Sequence, residues 1–119
     1  MPQENLDSIG IASWTIKMTK KLNSPSKEID NLKELFLAGD YQAAVNYGET
    51  LVKEFPDSAD LSNNLGVIYS ALNDYDSSFR NYVRAVELRT EFPQAYNNLG
   101  NLQKKHNKYK LATDSYKKA

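Results

Sequence analysis

Along most of this chain apolar side chains return at helical spacing, interrupted by short polar breaks. Residues 60–72 place Leu61, Leu65, Ile68 and Leu72 on one helical face. Residues 75–88 repeat the pattern with Phe79, Tyr82, Val83, Val86 and Leu88. Between the two runs lies Asn73-Asp74, a turn in which Asp74 is placed to cap the second helix. Earlier in the chain Gly39 supplies a left-handed residue that ends one helix, and Asp40 caps the next. Pro56 and Pro93 mark further breaks, because proline cannot continue a helix. The pattern predicts six helices, over 26–38, 41–54, 59–72, 75–88, 93–106 and 109–118. Near the N-terminus Ala12, Trp14, Ile16 and Met18 also alternate as a strand would. Ile11, Trp14, Met18 and Leu22 share a helical face there and the helix is preferred, so the expected class is all-α.

The helices come in copies. Asn-Asn-Leu-Gly occurs at 63–66 and again at 97–100, with the two glycines 34 positions apart. The same shift lays Gly39-Asp40-Tyr41 on Asn73-Asp74-Tyr75 and then on Asn107-Lys108-Tyr109. It also aligns Ala44 with Ser78 and Ala112, Tyr82 with Tyr116, and Ala85 with Ala119. Gly66 and Gly100 are expected where two helices of a unit approach closely, with the small residues Ala44, Ser78 and Ala112 opposite. A large side chain there would overpack the contact at a cost of roughly 1–3 kcal/mol. Leu32 stands at the glycine position of the first unit and departs from the pattern.

These residues resemble the tetratricopeptide repeat family, whose period is 34 residues. The second unit carries the resemblance in Leu65, Gly66, Tyr69, Tyr75, Ser78, Tyr82 and Ala85. The third carries it in Tyr96, Leu99, Gly100, Tyr109, Ala112, Tyr116 and Ala119, with Gln103 at a place expected to be aromatic. The first carries it in Tyr41, Ala44 and Pro56. The resemblance implies a right-handed superhelix of stacked antiparallel helix pairs with a concave groove. It divides 25–119 into units at 25–58, 59–92 and 93–119, the last incomplete. Residues 1–24 are expected to dock as a degenerate capping helix, with Trp14 in a structural role.

Composition limits the function. Apolar residues make up 40% of the 119 and charged residues 25%, a globular balance. Cysteine is absent, which excludes disulfides and cysteine zinc sites. No apolar run reaches the ~18 residues of a membrane span, and the N-terminus lacks the basic start and apolar core of a secretory signal. A cytoplasmic module with no membrane contact is expected. Net charge is zero but unevenly distributed: residues 25–92 carry twelve acidic and six basic side chains, and residues 93–119 six lysines and one aspartate. The lysine-rich run at 104–110 reads as a solvated helix face. It lacks arginine and any nucleic-acid-binding motif, so no nucleic acid is expected.

No catalytic, cofactor or metal constellation is legible, and no enzyme is expected. The only histidine, His106, sits among lysines at a helix end. Asp74 and Asp76 are close carboxylates at a turn, where capping explains them. Binding remains. The resemblance implies that the first helix of each unit lines the groove. Its candidates are Ser26, Ile29, Lys33, Phe36 and Leu37, then Asp60, Asn63, Val67, Ser70 and Ala71, then Gln94, Asn97, Asn101, Lys104 and Lys105. The strongest of these are Lys33, Phe36, Asn63, Val67, Asn97, Asn101, Lys104 and Lys105. The groove would run from apolar through amide to basic, and amides suit the main chain of an extended peptide. Some relatives clamp chaperone carboxylate tails with two lysines, two asparagines and an arginine. The matching positions here hold Ile29, Lys33, Asn64, Gln94 and Asn98, of which only Asn64 agrees, so that ligand is not expected. The leading expectation is a scaffold for a peptide or protein segment. The alternative is the N-terminal repeat region of a larger bacterial glycosyltransferase or sulfotransferase. A weak homodimer is also expected, through a final helix exposing Leu111 and Tyr116.

Overall fold

The computed structural model describes residues 24–119. Six helices follow one another there: α1 Ser26–Leu37, α2 Tyr41–Glu54, α3 Ala59–Ala71, α4 Tyr75–Leu88, α5 Pro93–Lys105 and α6 Tyr109–Lys118. Each boundary lies within one residue of the expectation from spacing. No strand is present among the described residues. The expected capping helix lies, up to residue 23, outside the described residues.

The 34-residue period is visible in the backbone of the turns. Gly39, Asn73 and Asn107 all have positive φ, at 80°, 59° and 63°. At each turn the following amide reaches back across the helix end. Asp40 N donates to Leu35 O at 3.1 Å, Asp74 N to Tyr69 O at 3.0 Å, and Lys108 N to Gln103 O at 2.7 Å. This is the Schellman closure, which satisfies carbonyls the helix leaves unpaired. Asparagine is the residue after glycine best able to hold that left-handed turn.

The next helix in each pair starts on a cap where the sequence provides one. Asp40 Oδ1 accepts from Ala43 N at 3.4 Å and Asp74 Oδ1 from Ser77 N at 3.1 Å. In α3 the Ser58 hydroxyl accepts from Leu61 N at 3.1 Å. Lys108 takes the same place before α6 and makes no side-chain cap; its ammonium lies 4.7 Å from the Tyr75 ring centroid instead. The Ser77 hydroxyl and amide hold the Asp74 carboxyl below its usual range. A depressed carboxyl stabilises the fold above its unfolded pKa, and that contribution is lost as pH falls through the folded value. Asp74→Ala should therefore cost about 1 kcal/mol at neutral pH. The gap to the unaltered chain should begin to narrow as pH falls below about 4, the unfolded pKa of Asp. It should narrow fully only below the depressed folded value, where the charge-assisted part of the cap is lost. Chemical denaturation at the two pH values checks this, and Asp74→Asn should keep most of the cap at both.

The pairs α1–α2, α3–α4 and α5–α6 stack in order, with α2 on α3 and α4 on α5. The first helices also touch directly, α1 on α3 and α3 on α5. The core sits between pairs. Leu32, Leu61 and Leu65 are fully enclosed, with Ile29, Ala44, Val45, Leu51 and Ile68 around them. Further along, Tyr82, Leu99 and Leu102 form a second cluster with Val67, Tyr75 and Phe79 against it.

Within the pairs, the nearest neighbour of the missing Cβ at Gly66 and Gly100 is an aromatic ring. A Cβ on Gly66 would lie 2.5 Å from the Tyr82 ring, and one on Gly100 would lie 2.6 Å from the Tyr116 ring. Ser78 does meet Gly66, through a buried hydrogen bond from its hydroxyl to the glycine carbonyl at 2.7 Å. The first pair inverts this arrangement. Leu32 stands in the glycine register and Gly48 in the tyrosine register, and the Leu32 methyl lies 3.5 Å from where a Gly48 Cβ would be. Large and small have changed places, and the space over Gly48 is filled mainly from the next pair, where the Leu65 side chain lies 2.5 Å from where that Cβ would be.

Several register positions at the ends of the stack carry polar groups where the interior carries apolar ones. One period before the buried Leu61, Leu65 and Ile68 of α3 stand Lys27, Asn31 and Glu34 of α1. One period after Phe79, which packs on the α5 cluster, stands the exposed Thr113 of α6.

Candidate binding groove

Because α1, α3 and α5 lie side by side, their inner faces form one strip across the molecule. Lys33 is exposed on α1, and Phe36 is half-buried with its ring 5.2 Å from that of Tyr41. Val67 is half-buried on α3 against the Tyr82 cluster. Asn97, Asn101, Lys104 and Lys105 are exposed on α5. Two of these are engaged within the fold. Asn101 Oδ1 accepts from the Tyr116 hydroxyl at 2.6 Å, and Lys105 Nζ donates to Asn73 Oδ1 at 3.0 Å, tying α5 to the α3–α4 turn.

Asn63 departs from the expectation of a groove ligand. It is 4% exposed, and its Oδ1 accepts from Asn98 Nδ2 at 3.1 Å. The next first helix covers this register position, which is why Asn97, on the last of the three, stays open. The signal was Ile29, one period earlier, an apolar residue 7% exposed. Asn64, half-buried beside it, turns back to donate to Asp60 O at 2.7 Å. Three positions matched to the carboxylate clamp, Ile29, Asn64 and Asn98, are thus buried or engaged internally.

The remaining polar side chains serve packing. Gln103, in the expected aromatic place, is buried and accepts from the Ser115 hydroxyl at 2.7 Å, so a hydrogen bond replaces a ring at that contact. Tyr69, its counterpart one period earlier, donates to Glu49 at 2.6 Å; burial first and then that carboxylate push its hydroxyl up to about 12. Burial likewise pushes Tyr82 up to about 12. Both phenols therefore stay protonated near neutrality. The His106 ring rests 4.4 Å from that of Tyr75. Among the described residues, no three His, Cys, Asp or Glu side chains cluster to hold a metal, and no helix is long and apolar enough to cross a membrane.

Comparison with known families agrees with this geometry. Residues 35–78 match the tetratricopeptide repeat and residues 68–107 match the TPR repeat, so the two together span more than half of the chain. The chain belongs to the tetratricopeptide repeat family. Solved TPR structures share its fold. The second TPR of Spaghetti (RPAP3), bound to the HSP90 peptide SRMEEVD, superposes with a TM-score of 0.76 at 17% identity, over 86% of this chain and 94% of that one. A crystal structure of MamA gives 0.68 at 19% identity, over 86% of this chain and 70% of that one. A second MamA structure, MSR-1 C2, gives 0.70 at 16%, over 80% and 55%. A comparison with curated proteins finds no matching sequence.

Proposed function

We propose that this TPR chain is a non-catalytic interaction scaffold that holds an extended, acidic peptide or protein segment across α1, α3 and α5. The observation that supports it is the exposed pair Asn97 and Lys104 on α5, beside α3, to which α5 is joined by Asn63–Asn98 and, at the α3–α4 turn, by Lys105–Asn73. An asparagine amide offers both a donor and an acceptor to a peptide main chain, and a lysine at the rim favours carboxylates. The peptide bound by the Spaghetti TPR, a neighbour of the same fold, lends the reading support in kind. Its clamp chemistry is not carried over, because Ile29 and Asn98 are committed within the fold here.

Nothing in the described residues favours the alternative of an enzyme's repeat region. Self-association through α6 would rest on Leu111, 51% exposed, since Tyr116 is packed on Gly100 and bonded to Asn101. A displayed library of random peptides tests the leading reading. Acidic sequences should be enriched, and Asn97→Ala with Lys104→Ala should weaken a selected peptide by roughly tenfold or more, about the loss of one to two charge-assisted hydrogen bonds. Far-UV circular dichroism should not change. Peptides that bind the altered chain equally well would move the ligand off this strip.

A further inference from the structure

A cleft of about 860 Å³ opens where the start of α1, the α2–α3 loop and the end of α4 meet. Its volume is that of a typical ligand pocket. The floor is apolar: Pro25 and Ala59 are buried, Ile29 is 7% exposed, and Phe55 and Leu88 lie beside them. Glu54 and Asp57 stand exposed on the rim with Lys53. The other lining cation, Arg89, is already held by Asp60 through two bonds of 3.1 Å.

We propose that this cleft is filled by the chain's own residues 11–22, which lie outside the described residues. Connectivity comes first. Ser24 and Pro25 line the cleft and are the first described residues, so the chain enters the fold at its mouth. At no more than about 3.6 Å per residue, Leu22, Lys21 and Lys20 stay within roughly 15 Å of Ser24. A tether that short places them at millimolar effective concentration, of order. Chemistry comes second. Residues 11–22 read IASWTIKMTKKL, with Trp14, Ile16, Met18 and Leu22 for an apolar floor. Their three lysines and no acidic residue oppose residues 25–92, which have twice as many acidic as basic side chains. The competing place is the outward face of α1, and it is poorly suited. A segment laid there would cover Lys27, Asn31 and Glu34, where a stacked helix requires Leu, Leu and Ile.

The full chain reports on this directly, because Trp14 is its only tryptophan. In native buffer Trp14 should emit to the blue of its position in denaturant and resist acrylamide, equally at all protein concentrations. Glu54→Lys with Asp57→Lys should raise quenching, since each exposed pair shifts a docking equilibrium about two- to five-fold. Adding Lys20→Glu and Lys21→Glu to that variant should restore the shielding. The chain has no cysteine, so Met18→Cys with Asp57→Cys should form an intramolecular disulfide on oxidation, while Met18→Cys with Asn31→Cys should not. The proposal is overturned if Trp14 is as accessible as in denaturant, or if shielding is indifferent to the rim charges. It is equally overturned if crosslinking favours Asn31, or if shielding grows with concentration, which would make a second copy the occupant.

Discussion

Gly66→Leu is expected to destabilise the fold by roughly 1–3 kcal/mol when made alone, and to stabilise it when Tyr82→Gly is already present. The reason is a shared volume. A Cβ at Gly66 would lie 2.5 Å from two atoms of the Tyr82 ring, and that ring is only 3% exposed, so it has nowhere to retreat. Tyr82→Gly alone removes a buried aromatic, which costs about 3–5 kcal/mol, plus about 1 kcal/mol for glycine within a helix. A leucine at 66 then refills part of the space that the ring has left. Urea denaturation of the four chains gives the coupling. If Gly66→Leu costs the same in both backgrounds, the two positions do not share volume and the inverted first pair is accidental. Gly100→Ala should cost less than Gly66→Ala, because Tyr116 is only half-buried and can yield.

Leu65→Ala should cost about 2–5 kcal/mol, the range for a leucine truncated in a packed core. Leu65 has no exposed surface and carries contact between pairs, with its side chain over Gly48 of α2. In a stack where each unit touches only its neighbours, stability is a sum of units and interfaces. Weakening this one interface should therefore release α1–α2 before α5–α6. Hydrogen exchange resolved along the chain would read it as faster exchange in 26–54 than in 93–118. Uniform acceleration throughout would mean that the chain unfolds as one unit and the interface argument is wrong.

Helix limits were legible in the sequence because they depend on local chemistry that the period repeats: Gly39, Asn73 and Asn107 at the turns, Asp40 and Asp74 at the starts. The three turns then close with the same hydrogen bond. The groove was less legible. Whether Asn63 opens to solvent depends on how far α5 leans across α3, and that is a property of the superhelix rather than of either helix. The glycine contacts were legible in part: Ser78 meets Gly66 as its spacing suggests, through a buried hydrogen bond. Spacing identified Gly66 and Gly100 as sites of close approach, but not the tyrosine rings that lie over them, four residues beyond the small side chains. Gln103 was visible as an exception; its partner Ser115 was not, because a buried hydrogen bond leaves no periodic trace.

The polar outward face of α1 bears on how such an array can lengthen. A duplicated unit inserted between Ser58 and Ala59 would meet apolar neighbours on both sides, since residues 59–92 present Leu61, Leu65 and Ile68 behind and Phe79 ahead. The same unit fused in front of α1 would strand Lys27, Asn31 and Glu34 in a new interior. Such an array is thus lengthened at less cost by copying residues 59–92 than by fusing a unit in front of α1.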